Sequence, residues 1–120
     1  MKKLLIAALF LFTLSLTHSQ WISNYGDDGG DVNFSSAKGN AVTIDSEGNS
    51  YVTGYTYESA TLNDIITIKY TPTGDTLWAR SYNGSANNND EGTGICVDAA
   101  GNVYVVGFAE YSSKSTDVVV

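Results

Sequence analysis

The sequence predicts an all-β fold built from repeated four-stranded antiparallel sheets, and three observations predict it. Residues Ala41–Tyr55 recur as Gly94–Phe108, displaced by 53 positions without a gap. Short β-branched or alternating runs fill each copy, and turns rich in Gly, Asn, Asp and Pro separate them. No stretch beyond residue 20 carries the apolar period of an amphipathic helix.

The chain opens with a basic head, Met1–Lys3, and an apolar run, Leu4–Leu16, interrupted only by Thr13 and Ser15. The small residues Thr17 and Ser19 then flank His18. This is the layout of a secretory signal peptide cleaved after Ser19, with an apolar run too short to span a bilayer. Residues 1–19 are therefore assigned to a signal, and the mature chain is expected outside the cytoplasm, secreted or at the cell surface. No membrane insertion is expected once the signal is gone.

What leaves with the signal limits the chemistry. His18 is the only histidine, so the mature chain has no imidazole for general base work or for zinc. Four basic side chains (Lys38, Lys69, Arg80, Lys114) face thirteen acidic ones, a net charge of −9. That balance disfavours nucleic acid and anionic membrane surfaces as partners. Cys96 is the single cysteine, which rules out an intramolecular disulfide. Its place in the run Ile95–Val97 predicts a buried small hydrophobe.

Trp21–Tyr25 reads as the last strand of a preceding unit, because Trp21 and Tyr25 recur as Trp78 and Tyr82 at an offset of 57. Residues 20–40 then comprise that strand and a connecting loop. Ala41–Asp45 is the first strand of a complete unit. Ser46–Asn49 is a tight turn with Gly48 and Asn49 available for positive φ. Ser50–Tyr57 alternates with period two, Asp64–Tyr70 is β-branched, Thr71–Asp75 is a turn holding Pro72 and Gly74, and Thr76–Tyr82 closes the unit. Residues 41–84 make one full unit, and residues 85–120 a loop and an incomplete second one. Gly54 and Gly107 lie inside strands, where glycine costs roughly 1 kcal/mol against alanine. A cost met twice at the same register predicts close approach of a neighbouring strand or of a ring such as Trp78 or Tyr51.

A period of this length with four short strands per unit is the pattern of propeller blades. The motif Ile44, Asp45, Gly48, Asn49, Tyr51, Val52, Gly54, continued by Asp64, Lys69, Tyr70, Gly74, Trp78, Tyr82 and Gly84, resembles the SBBP-type β-propeller repeat. The likeness spans residues 41–84 in full, 90–120 in part, and Trp21–Asp31 as the tail of a preceding unit. It implies blades of a seven-bladed propeller in an exported bacterial protein, here a partial propeller that needs further blades in cis or in trans to close. A fragment of a longer parent is the expectation drawn from the repeat count. The resemblance implies no particular activity.

Several residues invite a functional reading. Asp27, Asp28 and Asp31, and then Asp90 and Glu91, fall in equivalent acidic loops, and oxygen ligands on glycine-rich loops suit Ca²⁺. Their spacing matches neither an EF-hand nor a nonapeptide calcium repeat, so solvated turns are expected, with no metal and no cofactor. Asp45 and Asp98 are equivalent carboxylates that read as structural Asx turns rather than as an acid–base pair. Asn49 and Asn102 read as turn formers tolerant of left-handed φ. Gly48, Tyr51 and Gly54, with their partners Gly101, Tyr104 and Gly107, complete the structural motif. Trp21, Trp78, Tyr25 and Tyr82 are expected to pack between blades, the alternative being a sugar-stacking platform. No phosphate loop, nucleophile elbow or Cys/His cluster is present, and no residue is assigned a catalytic role. The function expected is a non-catalytic extracytoplasmic module that binds or scaffolds protein or glycan. The alternatives are part of a propeller enzyme acting on glycans, a lyase or hydrolase, or a non-functional truncated gene product.

Overall fold

The computed structural model describes residues 37–112 and 115–119 and shows the all-β architecture that the repeat predicts. Strands β1 (Ala37–Ile44), β2 (Ser50–Glu58), β3 (Leu62–Tyr70) and β4 (Thr76–Tyr82) form one sheet, ordered as in the sequence. Strands β5 (Asp90–Val97), β6 (Val103–Ser112) and β7 (Ser115–Val119) form a second. Every neighbouring pair is antiparallel, as short hairpin connections require. The two sheets are successive blades of a partial β-propeller. Residues 1–19, read above as a signal, and Trp21, Tyr25, Asp27, Asp28 and Asp31 lie outside the described residues.

Two strands begin earlier than their apolar runs suggest. β1 starts at Ala37, inside the stretch read as a loop, because a bulge between Gly39 and Ala41 breaks the alternation that would have marked it. β5 starts at Asp90 for the same reason, with its bulge between Gly92 and Gly94. The two bulges are 53 positions apart, so the repeat extends to this irregularity.

Gly54 and Gly107 show why they are glycines. A Cβ on Gly54 would strike the carbonyl oxygen of Lys38, and one on Gly107 that of Glu91. The close approach is that of the neighbouring strand at its bulge, and no aromatic ring is involved.

Alternation gives each sheet two faces. One face of the first sheet gathers Val52, Ile66, Ile68, Tyr70 and Ala79 into an apolar cluster. The other presents Tyr51, Thr53, Ile65 and Thr67, and the second sheet lies against it through β5, which contacts β1, β2 and β3. The approach is close enough that a Cβ on Gly92 would collide with Oγ1 of Thr53 and come within 3.2 Å of Ile65 Cγ2. Thr53 is fully buried there, and its hydroxyl donates to the Ile66 carbonyl at 3.0 Å. At the inner edge, Asn40 Nδ2 donates to Glu91 Oε1 at 2.7 Å and to the Gly92 carbonyl at 2.8 Å. The sheets are thus joined by interdigitation and by a polar clasp.

Candidate functional site: the turn rim and the inter-sheet groove

The strand directions place the β1–β2, β3–β4 and β5–β6 turns along one rim. Asp45 organises the first. Its Oδ1 accepts the amides of Glu47 and Asn49, both at 2.9 Å, and its Oδ2 accepts Asn49 Nδ2 and the Tyr51 hydroxyl, also at 2.9 Å. The Gly48 amide donates to the Asp45 carbonyl at 3.1 Å, with Gly48 at φ 83°, where a side chain would be strained. The second sheet repeats the arrangement. Asp98 Oδ1 accepts the amides of Ala100 and Asn102, its Oδ2 accepts Asn102 Nδ2 at 2.8 Å and the Tyr104 hydroxyl at 3.2 Å, and Gly101 stands at φ 86°.

These bonds set the charges. The Asn49 side chain, followed by the Asn49 amide, the Tyr51 hydroxyl and the Glu47 amide, holds the Asp45 carboxyl far below the usual carboxylate range. Asn102 lowers the Asp98 carboxyl, which in turn raises the Tyr104 phenol. One expectation is corrected here. Asn49 and Asn102 are absent from the left-handed region among the described residues, and the glycine before each makes the reversal instead. Asparagine is useful at these positions because its side-chain amide donates to the aspartate.

In the first sheet a cation joins this network. Lys69 Nζ lies 3.5 Å from Asp45 Oδ2 and 4.9 Å from the centre of the Tyr51 ring. Tyr51 is also edge-on to Trp78, with centroids 6.0 Å apart. The shallow recess between the first and third turns, about 170 Å³, is lined by Asp45, Glu47, Lys69 and Asp98 among others. Its repeated carboxylates, Asp45 and Asp98, are already engaged by their own turns.

The acidic loop of the second copy is not a loop at its acidic end. Asp90 and Glu91 are the first residues of β5. Asp90 is fully buried, accepting the Gly84 amide through Oδ2 and the Glu110 amide through Oδ1 at 3.1 Å. Glu91 accepts Asn40 in the clasp between the sheets. Both carboxylates hold backbone and side chains, and no group of three or more His, Cys, Asp or Glu able to hold a metal occurs among the described residues.

Cys96 also departs from expectation. It is exposed, on the face of β5 turned away from the first sheet, because the described residues place no further sheet over it.

A groove of about 470 Å³ runs between the sheets, lined by Ile65, Thr67, Arg80, Ser81, Tyr82, Val103 and Val105. Its size suits a small ligand.

Sequence reasoning missed Gly39, Gly92 and Asn40, and placed Asp90 in a solvated acidic loop rather than in a buried junction. Gly39 and Gly92 are 53 positions apart, two residues upstream of the aligned segment, and a longer comparison would have found them. Asn40 corresponds to Thr93, and Asp90 to Ala37, so the repeat carries no sign of either. Among known proteins, residues 20–59 match the family model of the SBBP beta-propeller repeat, a stretch that takes in β1 and β2. No curated protein matches the chain.

Proposed function

Since the chain carries an SBBP β-propeller repeat, we propose that it is a non-catalytic extracytoplasmic repeat module that binds or scaffolds protein or glycan. The observation that carries this reading is the state of the repeated carboxylates. Asp45 and Asp98 each accept four hydrogen bonds from within their own turn. Glycoside hydrolysis needs two carboxyl groups aimed at one bond, roughly 5–10 Å apart and free to exchange protons. Carboxylates engaged as turn acceptors are spent on backbone. A rim of rigid turns on a stiff sheet is instead a pre-organised surface for recognition.

The extracytoplasmic part of the proposal rests on the sequence of residues 1–19 and on the acidic, histidine-free remainder. An immobilised glycan and cell-surface protein panel, probed with the purified chain, tests the binding reading. Saturable retention of a ligand that is recovered intact is the expected result. Release of new reducing ends or unsaturated sugars from a retained glycan would replace the module with an enzyme.

A further inference from the structure

We propose that Asn83–Gly84 is a self-modification site, latched shut by Asp90, at which the asparagine becomes aspartate or isoaspartate when the β4–β5 connection opens. The proposal does not depend on the binding reading above.

The chemistry starts from the sequence. Among the asparagines of the chain, Asn83 is the one followed by glycine. Glycine has no Cβ to shield its own backbone nitrogen, so that nitrogen can reach the side-chain carbonyl carbon of the residue before it. Loss of the Gly84 N–H proton to hydroxide lets the nitrogen bond to Asn83 Cγ. The Cγ–Nδ2 bond breaks, Nδ2 takes up a proton from water and leaves as ammonia, and a succinimide ring closes. Water then adds to one of the two ring carbonyls and reopens it. Addition at Cγ gives aspartate. Addition at the main-chain carbonyl gives isoaspartate, whose backbone runs through the former side chain. The net change is water consumed and ammonia released, with no oxidant or reductant.

The structure holds both reacting groups off this path. The exposed Asn83 side chain is tied to the loop, its Nδ2 donating to Asn87 Oδ1 at 2.8 Å. The Asn87 amide in turn donates to the Gly84 carbonyl at 3.3 Å. Gly84 is buried, and its N–H donates to Oδ2 of the fully buried Asp90. A carboxylate at that distance opposes loss of the proton, because the nitrogen would turn negative beside an anion. Burial also keeps hydroxide from the same nitrogen. Packing fixes glycine here: a Cβ on Gly84 would lie 3.1 Å from each Asp90 carboxylate oxygen and 3.3 Å from Ala109 Cβ. The residue that lets Asp90 fit is thus the residue that makes Asn83 reactive, and Asp90 restrains it. Opening of the connection then leaves a lasting mark. Either product sets a negative charge beside the Gly84–Asp90 contact, and isoaspartate also lengthens the backbone by a methylene.

The test holds the purified chain at mildly alkaline pH and follows the peptide containing Asn83 by mass spectrometry, with isoaspartate separated by chromatography. In concentrated guanidinium chloride Asn83 should convert faster than every other asparagine. The folded chain should convert at least roughly tenfold more slowly. D90A that keeps its sheet signal in circular dichroism should convert roughly tenfold faster than the unmodified folded chain. The unmodified chain supplies a readout that needs no variant to fold. At denaturant concentrations below its unfolding transition, conversion should rise in step with hydrogen exchange of the Gly84 amide. An Asn83 that stays intact in concentrated denaturant overturns the proposal, as does one that converts equally fast in the folded chain. Folded D90A converting at the unmodified rate, or conversion unrelated to Gly84 exchange, removes Asp90 as the latch and overturns it as well.

Discussion

Asp45 shows how much one side chain can organise. It serves two backbone amides, an asparagine and a tyrosine, and its carboxyl is held well below its ordinary value. A depressed folded-state pKa stabilises the fold above the unfolded pKa, near 4 for aspartate, and that contribution disappears as pH falls toward the lower folded value. The melting temperature should therefore be level from neutral pH to about 5 and drop below that, the Asp98 turn adding to the same slope. D45N, which cannot ionise, should melt lower at neutral pH and show a flatter acid limb. A limb as steep as that of the unmodified chain would remove Asp45 as its source.

Gly54 makes a second residue-scale prediction. Alanine there meets the Lys38 carbonyl, which cannot yield without moving β1. G54A is expected to cost about 1–3 kcal/mol in urea titration, as overpacking does in close-packed interiors. G94A meets only a Val106 methyl, at 2.9 Å, and should cost less. The sequence marked Gly54 by repetition alone. It could not say that the crowding atom was backbone, because the bulge responsible replaces an alternating pattern with an irregular one.

Among elements, β5 carries most of the inter-sheet contact, and its start depends on Asp90. The buried carboxylate holds the amides of Gly84 and Glu110, tying the β4–β5 connection to the end of β6. In D90A the Gly84 amide loses its acceptor in a buried setting, which costs about 1–3 kcal/mol, while the Glu110 amide keeps the Asn89 carbonyl at 3.1 Å. Hydrogen exchange should show it locally, with Gly84 exchanging faster than the amides of the β2–β3 ladder. Equal acceleration everywhere would mean that the substitution acts globally and not on the β4–β5 junction. The strands themselves were legible because period-two runs and turn residues agree with each other. Asp90 was read as part of a polar loop, since nothing local separates a solvated aspartate from one folded under a neighbouring strand.

At the scale of the molecule, the blade arrangement was legible from one number, the 53-residue offset, which fixes strand order, bulges and turns together. The site was less so. Turn aspartates announce themselves by recurrence, but the clasp from Asn40 to Glu91 and Gly92 joins residues of different repeats and leaves no trace in either. The exposure of Cys96 likewise depends on what lies beside its sheet, which a strand pattern does not encode.

The five-residue turns from Asp45 to Asn49 and from Asp98 to Asn102 settle much of their own polarity from inside. Such a cassette keeps its shape whatever stands next to it. A gene encoding it can therefore lengthen by copying, with each new unit correctly bent on arrival and only the clasp residues left for later mutation to fit.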